Sequence, residues 1–180
     1  MQPSTRAFYL IKGVPLVPQS SQDSTDFSKG LQWIKQNTPA GLGELSVFAL
    51  GAIGGRLDHT FHAIHQLFKF PAGYPDSEGQ CARLYLIAPP NFTFLLRKGK
   101  NRLLLPKAVF GRGICGLIPV KGSAYIKTTG LRWDLDWISS VGNTGGGLST
   151  SNELGDGEEV IVETDNEIVF TIEYGNVGEL

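Results

Sequence analysis

Cysteine is scarce and unpatterned: Cys81 and Cys115 are the two among 180 residues. So few exclude a disulfide scaffold, and their separation excludes a paired metal-ligand motif. Both read as reduced thiols of a cytoplasmic protein. No apolar run approaches the ~20 residues that span a bilayer. The opening MQPSTRAFYLIKG lacks the long apolar centre of a signal peptide. An excess of one charge is missing too. With 16 Lys and Arg against 17 Asp and Glu, the net charge of -1 argues against a general nucleic-acid or anionic-membrane surface. Internal repeats and low-complexity tracts are also lacking. What the chain has in quantity is glycine, 23 residues gathered where the chain turns. Its 41% hydrophobic content is enough to bury a core, as one domain or two small ones.

Periodicity divides the chain into two characters. The spacing predicts a helix ending over Ala7 to Ile11 and a short buried strand at Val14 to Val17. Asp23 then precedes FSKGLQWIKQN, a helix with Phe27, Leu31 and Ile34 on one face. Ser46 to Leu50 reads as an interior parallel strand. A further helix begins near Asp58, with Phe61, Ile64, Leu67 and Phe68 on its apolar face. Strand and helix alternating with short links predict an α/β layer with crossover connections over residues 1–70. FPAGYPDSEGQ, rich in proline and glycine, reads as a linker covering residues 71–80. Residues 81–180 bring short β-prone runs: ARLYLIA, FTFLLRKG, NRLLLP, CGLIPV, SAYIKTTGLRWDL, EEVIVET and EIVFTIEY. They predict an all-β sandwich or barrel without helices, with Gly145-Gly146-Gly147 as a flexible point. The expected fold class is therefore α/β followed by all-β.

Three stretches can carry chemistry. In GAIGGRLDHTFHAIHQL a strand gives way to a helix, and that edge of an α/β sheet is where ligands usually bind. Gly51, Gly54 and Gly55 let backbone approach a ligand, the helix start suits phosphate, and Arg56 can grip it bidentately. Asp58 can orient a hydroxyl or cap the helix. A tight turn with a surface ion pair explains the same residues. In QDSTDFSK, Asp23, Asp26 and Lys29 are spaced by three, so all can share the first helical turns. Either Asp23 and Asp26 cap the helix, or they hold Mg²⁺ while Lys29 meets phosphate. In TTGLRWDL, Leu131, Trp133 and Leu135 alternate as in a strand with one buried face. Trp133 is then a core residue, or it stacks on a flat heteroaromatic cation beside GGGLSTSNE. His59, His62 and His65 cannot all meet one ion from a straight helix, because the outer pair lie roughly 240° apart.

The order QDSTDFSK, GAIGGRLDH, CGLIPV, TTGLRWDL, LSTSNE and VETDNEIVFTIE resembles the thiamine pyrophosphokinase family from about Gly13 to Glu173. The resemblance implies an α/β catalytic domain and a β-sandwich assembled as a homodimer. It also implies diphosphoryl transfer from Mg-ATP to the hydroxyl of thiamine, giving thiamine diphosphate and AMP. By the same resemblance Asp23 and Asp26 hold Mg²⁺, and Asp23, Asp26, Arg56 and Asp58 serve catalysis. Lys29, Gly54, Gly55 and Arg56 meet ATP phosphates, and Asp58 meets substrate. Gln22, Trp133, Ser149, Ser151 and Asn152 contact thiamine. Neither nucleic acid nor membrane is an expected partner. The family carries an earlier Gly-Asp-x-Asp-Ser element with principal Mg²⁺ ligands, and none precedes QDSTDFSK. Ser21 also stands where many relatives have an acidic residue. The expectation is an N-terminally incomplete catalytic domain, with Asp23 and Asp26 supplying part of a Mg²⁺ shell. A non-catalytic thiamine-binding remnant and another small-molecule kinase are the alternatives.

Overall fold

The computed structural model describes residues 2–39, 45–72, 82–142 and 146–175. Contacts divide the chain into two units, Met1–Thr38 and Pro39–Leu180. The first holds two helices, α1 (Pro3–Ile11) and α2 (Asp26–Asn37). Pro at the first turn suits α1, whose first amides need no helical partner. α2 is capped by Thr25, whose hydroxyl accepts the Ser28 N–H, and it buries Leu31. The strand expected at Val14 to Val17 does not form, and both valines are exposed. Pro15 and Pro18 punctuate that stretch and deny a ladder its donors.

The second unit begins with β1 (Leu45–Leu50), α3 (Leu57–Ala72), β2 (Ala82–Ala88), β3 (Asn91–Leu96) and β4 (Gly99–Leu104). It continues through α4 (Lys107–Phe110), β5 (Cys115–Ile118), β6 (Ala124–Thr129), β7 (Asp136–Ser139), β8 (Ser149–Asn152), β9 (Glu159–Thr164) and β10 (Ile168–Glu173). A six-stranded sheet runs β1-β2-β3-β10-β5-β8, and a four-stranded sheet runs β4-β9-β6-β7. β1 and β2 are parallel, joined through α3, while the other paired strands are antiparallel. Leu117, Phe170 and Ile172 from the larger sheet and Ile126, Val160 and Val162 from the smaller are fully buried in one core. That shared layer makes the pair of sheets a sandwich. Helices with a mixed sheet come first and antiparallel strands follow, the coarse order expected from periodicity.

Several details differ. β1 was expected inside a sheet, yet among the described residues it is an edge strand. Its outward side chains Phe48 and Leu50 are 56% and 78% exposed. Its neighbour β2 belongs to the same sheet as the sandwich strands, so β1 and α3 share a unit with everything after them. The buried face of α3 is Ala63, Gln66, Leu67 and Phe70, rotated from the expected one. Phe61 is 58% exposed. With Ile64, Phe68, Val120 and Lys121 it lines an open hollow of about 510 Å³. α3 continues to Ala72; the rest of the expected linker, with Cys81 and Gly145, lies outside the described residues. One short helix interrupts the β region: α4 starts after Pro106, where the Glu158 carboxylate accepts the Lys107 N–H at 2.9 Å.

Candidate active site

The glycine loop leaves the carboxyl end of β1. Gly51 extends the parallel ladder, its N–H donating to Ile87 O at 2.7 Å. Gly51, Gly54 and Gly55 take φ of +69°, +101° and +64°, backbone that side-chain-bearing residues adopt at a cost. A Cβ on Gly54 or Gly55 would meet nothing within 4 Å, so conformation rather than crowding selects glycine there. Thr60 braces the loop from the first turn of α3, its hydroxyl accepting the Gly54 N–H at 3.1 Å. Arg56 Nε and Nη2 donate to the two Asp58 carboxylate oxygens at 3.1 and 2.6 Å. The hydrogen bond from Arg56 holds the Asp58 carboxyl below the usual carboxylate range, and its counterpart raises the guanidinium. Both side chains are well exposed, so this ion pair is open to exchange with a ligand.

In the first unit Asp23 lies before α2 rather than on it. Thr25 is the N-cap, so Asp23, Asp26 and Lys29 do not share one helical face. The Ser21 hydroxyl accepts the Asp23 N–H at 3.2 Å and lies 3.5 Å from its carboxylate. Asp26 faces solvent in the first turn, with Lys29 Nζ at 3.6 Å. Gln22 is exposed in the segment leading to the cap. Among the described residues no three His, Cys, Asp or Glu side chains gather as a metal site. His59 and His65 are exposed, and burial depresses the His62 pKa. The His62 ring lies 3.2 Å from the Gln66 amide nitrogen.

The third region is a corner. β6 ends at Thr129 because Gly130 turns the chain at φ +100°, where a Cβ would meet Glu159 O at 2.3 Å. Asp134 staples the turn, its carboxylate accepting the Leu131 N–H at 3.0 Å and the Thr128 hydroxyl at 3.1 Å. Leu131 and Leu135 are buried, but Trp133 is not the core residue of a regular strand: it is 52% exposed. Asn152, buried at the end of β8, clamps it. Its Oδ1 accepts the Trp133 N–H at 3.3 Å and its Nδ2 donates to Trp133 O at 2.7 Å. Ser149 is buried, whereas Ser151 is exposed. The Arg132 guanidinium lies over the indole at 4.9 Å and donates to Glu153 Oε2 at 2.9 Å, while Arg112 donates to Glu153 Oε1. These contacts, the Arg132 hydrogen bond foremost, hold the Glu153 carboxyl below its ordinary range. Thr60, Asp134, Arg132 and Glu153 were not singled out by sequence. The Asx-type acceptor of Asp134, four residues after Gly130, was a usable signal; the others had none that is local.

Two domain models match the chain in order: "Thiamin pyrophosphokinase, catalytic domain" over residues 1–76 and "Thiamin pyrophosphokinase, vitamin B1 binding domain" over residues 101–169. The chain belongs to the thiamin pyrophosphokinase family. It is 33% identical over 177 residues to thiamine pyrophosphokinase 3 of Oryza sativa subsp. japonica, covering 96% of this chain and 62% of that protein. To thiamine pyrophosphokinase 1 of Arabidopsis thaliana it is 32% identical, covering 95% of this chain and 61% of the relative. The chain thus spans about three-fifths of these relatives' length. In fold it matches thiamin pyrophosphokinase from Candida albicans with a TM-score of 0.83 at 24% identity, over 97% of this chain and 70% of that one.

Proposed function

We propose that this chain acts as a thiamine diphosphokinase, moving a diphosphoryl group from ATP to the hydroxyl of thiamine and releasing AMP. The observation that carries the reading is the Gly51–Asp58 loop, three left-handed glycines at the carboxyl end of a parallel strand with an exposed Arg56–Asp58 pair. Such a loop suits a reaction whose demands are phosphate positioning and charge neutralisation. Arg56 leaves Asp58 for the phosphate oxygens, Gly54 and Gly55 admit them close to the backbone, and Lys29 adds a second cation. Asp58, released, accepts a hydrogen bond from the substrate hydroxyl. The thiamine oxygen attacks the β-phosphorus as its hydroxyl proton passes to Asp58, and the bond from the β-phosphorus to the bridging oxygen breaks, AMP leaving with that oxygen.

Asp23 and Asp26 fit Mg²⁺ by donor chemistry: both offer hard carboxylate oxygens, and Asp26 is fully open to solvent. Bound there, the ion would neutralise charge on the transferred phosphates. Gln22, Trp133, Ser151 and Asn152 supply the thiamine contacts, with Trp133 stacking on the flat cation. Ser149 joins that group in the proposal, although its burial favours a supporting role. Residues 1–70 form the catalytic part and 81–180 the thiamine-binding and dimerising part of a cytoplasmic homodimer. No helix among the described residues is long and apolar enough to cross a membrane. The test is AMP release from Mg-ATP with thiamine, compared with another primary alcohol. Release that requires thiamine supports the proposal; release with any alcohol, or none, overturns it. Sedimentation as a strict monomer at micromolar concentration would remove the dimer.

A further inference from the structure

Trp133 presents its indole with one face already covered by a cation. The Arg132 guanidinium sits 4.9 Å from the ring, yet the residue stays 52% exposed. Neither arginine beside Glu153 is shielded: the Arg112 and Arg132 side chains are 73% and 57% exposed, against 12% for Glu153. A sheltered carboxylate therefore lies between two solvent-facing guanidiniums. The backbone of this corner has separate support. Arg132 N–H donates to Glu153 O at 2.8 Å, and Asn152 holds both polar groups of the Trp133 main chain. The Glu153 side chain is thus free of the task of shaping the turn.

A cation stacked on one face of an indole draws on the same ring quadrupole that would attract a cation on the other face. Left uncompensated, the guanidinium also repels that second cation through a thin, weakly screening ring. We propose that Glu153 is a specificity-determining positioning residue for a cationic heteroaromatic ring. It pins Arg132 to one face of Trp133 and offsets part of its charge, so that the open face accepts a flat cation. This rests on the reading of thiamine as substrate. Glu153→Gln keeps an acceptor for Arg132 and nearly the same volume while removing the charge.

The test compares thiamine, which carries a quaternary thiazolium, with thiochrome, its flat uncharged oxidation product. Binding of each is measured by calorimetry on the full chain, on Glu153→Gln, on Arg132→Ala and on Arg132→Ala/Glu153→Gln. Glu153→Gln should weaken thiamine about fivefold and thiochrome less than about twofold, a span typical of cation–π contacts. Removing Arg132 as well should restore thiamine to within about twofold of the value that Arg132→Ala alone gives. In turnover, KM for thiamine should rise with kcat held, as loss of uniform binding requires. Equal weakening of both ligands, or no change in either, would overturn the proposal while leaving the substrate reading intact. A parent chain that binds neither ligand would overturn the substrate reading and this inference with it.

Discussion

The loop at residues 51–60 and the corner at residues 128–154 solve the same problem, presenting side chains to solvent in fixed places, by opposite means. The loop is shaped by backbone: left-handed glycines, one bracing hydroxyl, and two charged side chains paired with each other. The corner is shaped by side chains: the buried Asn152 and Thr128, with the exposed Asp134, bond main-chain groups that the turn would otherwise orphan. Where side chains are exposed and mutually paired, activity and stability separate, because the pair adds little to folding. Where side chains are buried and bonded to backbone, the two coincide.

Replacing Arg56 by Ala should give the largest effect and the sharpest separation. Thiamine-dependent AMP release should fall by about a hundredfold or more in kcat/KM, the scale for losing a charge-stabilising donor. Its melting temperature should stay within about 2 °C of the parent. A parallel loss of both would break the contrast. Gly130→Ala and Gly54→Ala compare the regions directly. Both glycines sit near φ +100°, but only at Gly130 does a Cβ strike backbone, the Glu159 carbonyl at 2.3 Å. Urea unfolding should show a loss of about 2–3 kcal/mol for Gly130→Ala and about 1–2 kcal/mol for Gly54→Ala. Asn152→Ala strands the Trp133 N–H and C=O and should cost about 1–3 kcal/mol by the same measurement, with weaker thiamine binding alongside.

The smallest effect at neutral pH belongs to Cys115, which pairs with Asn152 across β5 and β8. Burial first, then the Glu153 charge, pushes its thiol from 9.0 to about 12. A folded pKa above the unfolded one means that the thiol's contribution to stability is complete below pH 9. It is lost as pH climbs toward 12, because the unfolded chain releases the proton sooner. Urea midpoints of the parent and Cys115→Ser should therefore differ by a constant amount up to about pH 9 and converge above it. Native Cys115 should also resist iodoacetamide at pH 8, because little thiolate forms there.

Much of this was readable from residue order. Most strands from β2 onward follow alternating or continuous apolar runs bounded by turns, but β7 (DWIS) and β8 (STSN) fall outside those runs; the glycine loop stands within eight consecutive residues. α3 shows where periodicity stops. Its apolar residues form two overlapping stripes, and the buried one includes Ala63 and Gln66, a small residue and a polar one. A stripe containing Ala lets a helix approach a sheet closely, and hydropathy does not rank that above Phe61 and Ile64. Val14 to Val17 was apolar enough for a strand, but its prolines set the backbone. The network at Glu153 was beyond reach, because its partners lie 21 and 41 residues away in sequence. Local chemistry is written in neighbours; a charge balance assembled by folding is not.

β8 carries one further consequence. Between the pairs Cys115↔Asn152 and Leu117↔Ser149, β5 advances two residues while β8 advances three. That extra residue is a bulge, and it shifts the phase of the strand, so that Ser149 and Asn152 both point inward. An uninterrupted strand would send them to opposite sides. Deleting Thr150 would leave Ser149 and Asn152 two residues apart, so a regular ladder would keep both inward, opposite Leu117 and Cys115. The corner should therefore tolerate loss of the bulged residue better than loss of the Asn152 amide, which holds both polar groups of the Trp133 main chain.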